Sequence, residues 1–248
     1  MNGKFFGCFL LQFFVAGVIS HRFTIPSYIK PCSVSDPDFE KCCLEHGKEA
    51  LPHILKGDRK FGIPNMVPLL IPQINVNAGE GLRIFLKDVQ TYGLNTTELI
   101  KVKIDTKAKK LSIKIKIPEL KLLGKYDIDG KVMVLKIQGN GDFNIVAYDG
   151  EYEYNADYIL HNVGGEDYFD LADKDTLDFV VRDLKVHLDN LFNGDKELGD
   201  QMNKFLNENW ETVLKEFGPA ISETVRSIGR SIASAIFGRI AYHQLILP

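Results

Sequence analysis

"DKELGDQMNKFLNENWETVLKEFGPAISETVRSIGRSIASAIFGR", residues 195–239, is the stretch on which the fold turns. Leu198, Met202, Phe205, Leu206, Trp210, Val213, Leu214, Phe217, Ile221, Val225, Ile228, Ile232 and Ile236 recur at steps of three and four, which draws one apolar stripe along a very long helix. At 1.5 Å per residue such a helix runs roughly 60 Å, more than a compact domain of this size requires. Gly218-Pro219 predicts a kink, because proline lacks the amide hydrogen that would bond the preceding turn. A stripe of this length has to be covered.

The cover lies upstream. From Gly81 to His187 apolar residues recur at period two, most cleanly in "KKLSIKIKIPEL" (109–120), where Leu111, Ile113, Ile115 and Ile117 alternate with Ser112, Lys114 and Lys116. Similar runs are "LRIFLKDV", "IKVKID", "YDIDGKVMVLKI", "DFNIVAYDGEYEYNADYIL" and "LDFVVRDLKVHL". Turn material separates them at Asp129-Gly130, Gly139-Asn140-Gly141 and Gly164-Gly165. This predicts a long antiparallel meander with one apolar face. The expected fold class is α+β: a strongly curved antiparallel β-sheet wrapped around a long C-terminal α-helix in a single domain. A coiled coil would leave the apolar strand faces without a covering layer. Two surfaces rich in Ile, Val, Leu and Phe enclose either a filled core or an elongated apolar cavity. Nearer the start, Asp36 to Lys56 reads as a helix ended by Gly57. "GIPNMVPLLIP" (62–72) carries three prolines and reads as an extended apolar connector, neither helix nor central strand.

Lys4 precedes an apolar run from Phe5 to Val18, and the chain turns polar at His21. That pattern is a secretory signal peptide, residues 1–20, with cleavage after Ser20; a spanning helix needs about 20 apolar residues. Residues 21–248 are then expected as one soluble, extracellular domain. Losing Lys4 and no acid takes the formal charge from −3 to −4, a balance that gives nucleic acid no reason to bind. "KPCSVSDPDFEKCC" (30–43) holds the three cysteines that remain. In an oxidising compartment they form at most one internal disulfide. Zinc needs four ordered ligands, which His46 does not complete, and a thiol nucleophile needs a base and reducing surroundings. Bridging Cys32 to Cys42 or Cys43 stabilises by roughly 2–3 kcal/mol and ties the N-terminal arm to the first helix.

Enzymatic signatures are missing. No G-x-S-x-G elbow or H-E-x-x-H pair occurs, and the six histidines are scattered. Asp170, Asp173, Asp175 and Asp178 lack the glycine and terminal glutamate of a calcium loop and read as a solvated acidic turn. Gly139-Asn140-Gly141 lacks the third glycine of a dinucleotide loop and reads as a hairpin turn. No cofactor or metal is implied. Lys101, Lys103, Lys107, Lys109, Lys110, Lys114 and Lys116 fall on one outer strand face. They are read either as a solvated sheet face or as a surface for anionic membranes or lipid transfer. Asn95-Thr96-Thr97 is a glycosylation sequon at a turn between strands.

The chain resembles the insect takeout and haemolymph juvenile-hormone-binding family over essentially the whole mature sequence. The marks are "PSYIKPCSVSDPDFEKC", "GIPNMVPLLIP", "LKLLGKYDIDGKVMVLKIQGNGDFNI" and "LFNGDKELGDQMNKFLNENWETVLKEFGPAI". The resemblance implies a Cys32–Cys42 disulfide and a secreted, monomeric carrier with a tunnel for an apolar ligand, a terpenoid hormone or another lipid. Odorant or pheromone carriage fits the same residues, and transient contact with a membrane or receptor is compatible with them. Cys43 is extra, no later cysteine supplies a second disulfide, and Ala241 stands where the family usually shows proline; the chain looks more like the takeout branch. Expected lining residues are Phe205, Trp210, Val213, Phe217, Val225 and Ile228 on the helix, with Ile113, Ile115, Phe143 and Ile145 on the sheet. Tyr126 is the candidate polar anchor. A ligand of roughly 20 heavy atoms at about −0.3 to −0.5 kcal/mol each binds with about −6 to −10 kcal/mol.

Overall fold

Alternation is cleanest where the longest strands form. In a computed structural model, which describes residues 23–78 and 81–248, β5 (Lys110–Val132) and β6 (Leu135–Val163) pair antiparallel from Lys110 opposite Asp157 to Val132 opposite Leu135. The expected leader, residues 1–20, lies outside the described residues.

This ribbon is the spine of the sheet. Toward its hairpin it is flanked by β3 (Leu82–Tyr92), with β2 (Leu69–Ala78) beyond, and by β8 (Asp183–Leu188) on the β6 side. Toward the other end it is flanked by β4 (Glu98–Asp105) and β7 (Glu166–Val180).

The helical stripe forms α2 (Lys196–Glu208) and α3 (Trp210–Phe237). Helix α3 packs against both β7 and β2, the two ends of the strand order β2-β3-β5-β6-β7. One helix can reach both edges only if the sheet curls around it. The architecture is therefore the one expected, a curved antiparallel sheet about a C-terminal helix. Helix α1 (Phe39–Leu55) lies over β4, where Gly47 leaves room for Leu99. After α4 (Tyr242–Leu245), β9 (Ile246–Leu247) pairs in parallel with β1 (Cys32–Ser33) and so joins the tail to the N-terminal arm.

Several expected details are corrected. Gly139-Asn140-Gly141 is not a turn but lies inside β6, opposite Tyr126 to Ile128. Its glycines admit a crossing segment, since a Cβ on Gly141 would sit 2.5 Å from the Asp189 carbonyl oxygen and one on Gly139 2.9 Å from Leu191 Cα. Asp129-Gly130 likewise lies within β5. The reversal is at Met133-Val134, inside a run that reads as a strand. "LDFVVRDLKVHL" is split at Val181-Arg182 into the end of β7 and the whole of β8.

The expected single helix is divided into two. The break falls at Asn209 (φ −113°, ψ 23°), whose side-chain amide donates to the Phe205 carbonyl and satisfies the end of α2, while α3 runs on through Pro219. Gly57, at φ 83°, follows α1 as expected, and Leu69–Pro72 of the connector becomes the start of the edge strand β2, where proline is tolerated.

Candidate functional site

Directly opposed residues of antiparallel strands share a face. The row Ile113, Tyr154, Leu177 and the row Leu122, Ile145, Val186 each share a face, and Ile113 and Tyr154 pack on the core at one end of the molecule while Leu122, Ile145 and Val186 pack on the core at the other. Burial along this interior is uneven. One end is filled by Leu55, Phe61, Ile63, Tyr158, Ile236 and Ile240 with their neighbours; the other by Leu82, Val89, Ile137, Phe143, Leu206 and Val213 with theirs. Between them, no residue of α3 from Leu214 to Ala235 is buried, although Phe217, Ile221, Val225, Ile228 and Ile232 continue the apolar stripe. At 1.5 Å per residue that gap covers roughly 30 Å of helix. Ile221 and Val225 belong to neither packed end. The sheet wall opposite is half-buried as well, at Ile113, Ile115, Leu122, Ile145 and Tyr154.

The ten expected lining residues divide accordingly. Ile113 and Ile228 border the first packed end; Phe205, Phe217 and Ile145 border the second. Val213 and Phe143 are buried inside the second, with Phe143 close against Gly124. Val225 and Ile115 lie between the two. Trp210 instead lines an open groove of about 440 Å³ with Leu177, Phe179 and Leu214.

Tyr126 is 4% exposed, and its hydroxyl donates to the Asp189 carbonyl oxygen at 2.5 Å. Burial, followed by the charges of Asp189 and Asp127, pushes its pKa up to about 12, so the proton stays on. The structure thus commits this donor to the protein rather than to a ligand.

A polar cluster that periodicity did not single out stands on the inner wall. Asp175 is not in a solvated turn: it lies in β7 on the face of Leu111 and Ala156, and its side chain has 0% exposure. It accepts from Tyr154 Oη at 2.7 Å, from Arg226 Nη1, and from Arg230 Nε at 3.3 Å. Arg230 also donates to the carbonyls of Leu171 and Ala172. Burial raises the Asp175 pKa, but the hydrogen bonds from Tyr154, Arg226 and Arg230 outweigh it and hold the carboxyl below its ordinary value. Two arginines one helical turn apart thereby pin the middle of α3 to the sheet. A signal was present: Asp175 shares the parity of Leu177 and Phe179, so it is an acid where the strand calls for an apolar residue. Asp170, Asp173 and Asp178 are exposed, so the four acids do not form one cage.

Cys32 and Cys42 form the disulfide. Burial, followed by the charge of Glu40, pushes the half-buried Cys43 thiol up to about 11, which keeps it protonated at neutral pH. His46 Nδ1 approaches Cys32 Sγ at 3.3 Å and Cys42 Sγ at 3.5 Å, but two disulfide sulfurs are not thiolate ligands. Asn95 is exposed on the rim of a separate groove of about 540 Å³ between α1 and β4.

The lysine face is not a free positive surface. Lys101 pairs with Glu153, Lys103 with Glu40, Lys110 with Asp157, Lys114 with Glu151 and Lys116 with Asp149. Lys109 lies over the rings of Tyr158 and Tyr242, 5.5 Å from each. Acids brought alongside by β6 and α1 cancel most of the charge that the linear sequence displays. No helix among the described residues is long and apolar enough to cross a membrane.

Comparison with known proteins agrees with this geometry. Residues 8–247 match the profile of the haemolymph juvenile hormone binding protein family. The circadian clock-controlled protein daywake of Drosophila yakuba is 26% identical over 242 residues, covering 91% of each chain. Its Drosophila melanogaster counterpart is 26% identical over 231 residues, covering 88% of this chain and 87% of that one. The crystal structure of Epiphyas postvittana Takeout 1 superposes with a TM-score of 0.79 at 26% identity, covering 89% of this chain and all of that one.

Proposed function

The chain belongs to the haemolymph juvenile hormone binding protein family, and from that premise we propose that it is a secreted carrier holding one small apolar ligand between α3 and the curled sheet. The supporting observation is the stretch of α3 between Val213 and Ile236, apolar in sequence yet without one buried residue, facing a half-buried apolar wall and flanked by two filled ends. A helix stripe and a sheet face that bury each other leave no such interval; a ligand completes it. Val225, Ile228, Phe217, Ile113, Ile115 and Ile145 are the side chains this reading places on the ligand. Burial provides affinity for terpenoid or fatty-acid chemistry. The reading includes removal of residues 1–20, glycosylation at Asn95, and a monomer in extracellular fluid.

Titration of the secreted mature protein with a fluorescent fatty acid tests it, with juvenile hormone as competitor. The expected result is saturable binding at one site per chain. Absence of saturable binding to every apolar probe would refute the reading.

A further inference from the structure

The end of the β5–β6 hairpin departs from the rules the rest of the sheet obeys. Val132 pairs with Leu135, so Met133 and Val134 form a two-residue turn at the tip of the longest ribbon in the molecule. Met133 sits at φ 55°, a backbone position that two-residue hairpins fill with glycine or asparagine, and a β-branched valine follows it. Turn chemistry does not explain these residues. Burial does not either: Met133 is 42%, Val134 85% and Leu135 39% exposed, and Val134 is the most exposed large hydrophobic residue among those described.

The tip is held in place. Val132 and Ile137, on either side, are 1% and 0% exposed within the second packed end. The Met133 amide donates to the Glu216 carboxylate of α3 at 3.4 Å. Lys131 and Lys136 flank the apolar triplet; both are exposed, and neither has an ion pair among the described residues. Nearby acids do not offset them fully, since Asp129 faces Arg83 at 3.5 Å and Glu216, which accepts from the Met133 amide, is a single charge against two lysines. This contrasts with the paired lysine face.

We infer that this tip docks the protein on anionic lipid surfaces, with Met133, Val134 and Leu135 entering the boundary between headgroups and acyl chains and Lys131 and Lys136 meeting the phosphates. Three apolar side chains with flanking lysines match the division of a bilayer interface, apolar below and anionic above. A protein partner is the weaker fit: stable interfaces bury about 1,200–2,000 Å² in total, and a two-residue turn offers far less, whereas a bilayer accepts a small wedge without shape complementarity. The inference goes beyond carriage and does not depend on what the interior holds.

Co-flotation with phosphatidylcholine vesicles, with and without phosphatidylserine, tests it. The informative variant is M133N/V134G, which removes both apolar side chains and puts asparagine, which tolerates the positive φ, at position 133; its folding is checked against the parent by circular dichroism and thermal unfolding. The parent should float with phosphatidylserine vesicles, less so as salt rises. M133N/V134G should lose that binding by at least about tenfold while keeping its uptake of a fluorescent fatty acid. K131S/K136S should lose the preference for phosphatidylserine. Equal flotation of parent and M133N/V134G would overturn the inference, as would no flotation of the parent or flotation indifferent to phosphatidylserine. A dimer that M133N/V134G dissociates, seen by light scattering without any vesicle effect, would assign the tip to a second copy instead.

Discussion

Asp175 carries a charge into the interior, and its partners show why the fold tolerates it. Two arginines and a tyrosine hydroxyl converge on a carboxylate with no exposed surface, so removing the charge leaves Arg226 and Arg230 facing a neutral group. Asp175→Asn should lower stability at neutral pH by about 3 kcal/mol, the lower end for a broken buried pair because both arginines remain partly exposed. The sign follows from the depressed pKa. The stabilisation is complete above the ordinary carboxylate value of about 3.9 and is lost as pH falls through the lower folded value. Urea unfolding of parent and variant should therefore differ at pH 7 and converge in acid; equal midpoints at pH 7 would contradict the account. Tyr126 gives a second test at this scale. Tyr126→Phe removes one hydrogen bond to Asp189 and should cost about 1 kcal/mol while leaving apolar-probe affinity unchanged. Both residues stand in the sequence with readable types, but their partners are 21 to 63 positions away, and spacing along one strand does not report them.

Helices and strands were legible to different degrees for different physical reasons. Period-two alternation found β5 and the 3.6-residue stripe found α2 and α3, because burying one face against one core imposes those periods. Glycine was ambiguous. It serves sharp reversal and close approach alike, so Gly139 and Gly141 read as a turn while they actually let Asp189 and Leu191 cross β6, and the true turn hid behind Met133-Val134. The stripe is interrupted at Asn209, where a side-chain amide satisfies the end of α2, a break that hydrophobic spacing does not report. Within α3 the account separates two kinds of apolar residue. Ile236, 1% exposed, lies in a filled end, and Ile236→Ala should cost about 2–5 kcal/mol. Ile228 borders the unburied interval, so Ile228→Trp should change stability by less than about 1 kcal/mol, where overpacking a filled core costs about 1–3. The same substitution should weaken apolar-probe binding at least about tenfold. Thermal unfolding and probe titration on the same samples check both; a large loss of stability with Ile228→Trp would mean the interval is already filled.

At the scale of the whole molecule, one end is closed by covalent and backbone links that draw together distant parts of the chain. The Cys32–Cys42 bridge ties the arm to α1, and β1 pairs with β9, so arm, first helix and tail meet where Ile240, Leu245 and Ile246 pack. Ala241, in place of the usual proline, is 5% exposed and bridges Tyr168, so this end is packed without it. The general plan, a curled sheet about a helix, was readable because nothing else in the chain could cover the stripe. The uneven filling of the interior was not, since an unfilled apolar interval and a packed one share the same composition. That interval is the central claim, and native mass spectrometry of the secreted mature protein, followed by organic extraction, tests it most directly. The account predicts one apolar molecule per chain, released by solvent and displaced by Ile228→Trp. A protein that flies without an adduct and takes up neither terpenoid nor fatty acid would contradict it.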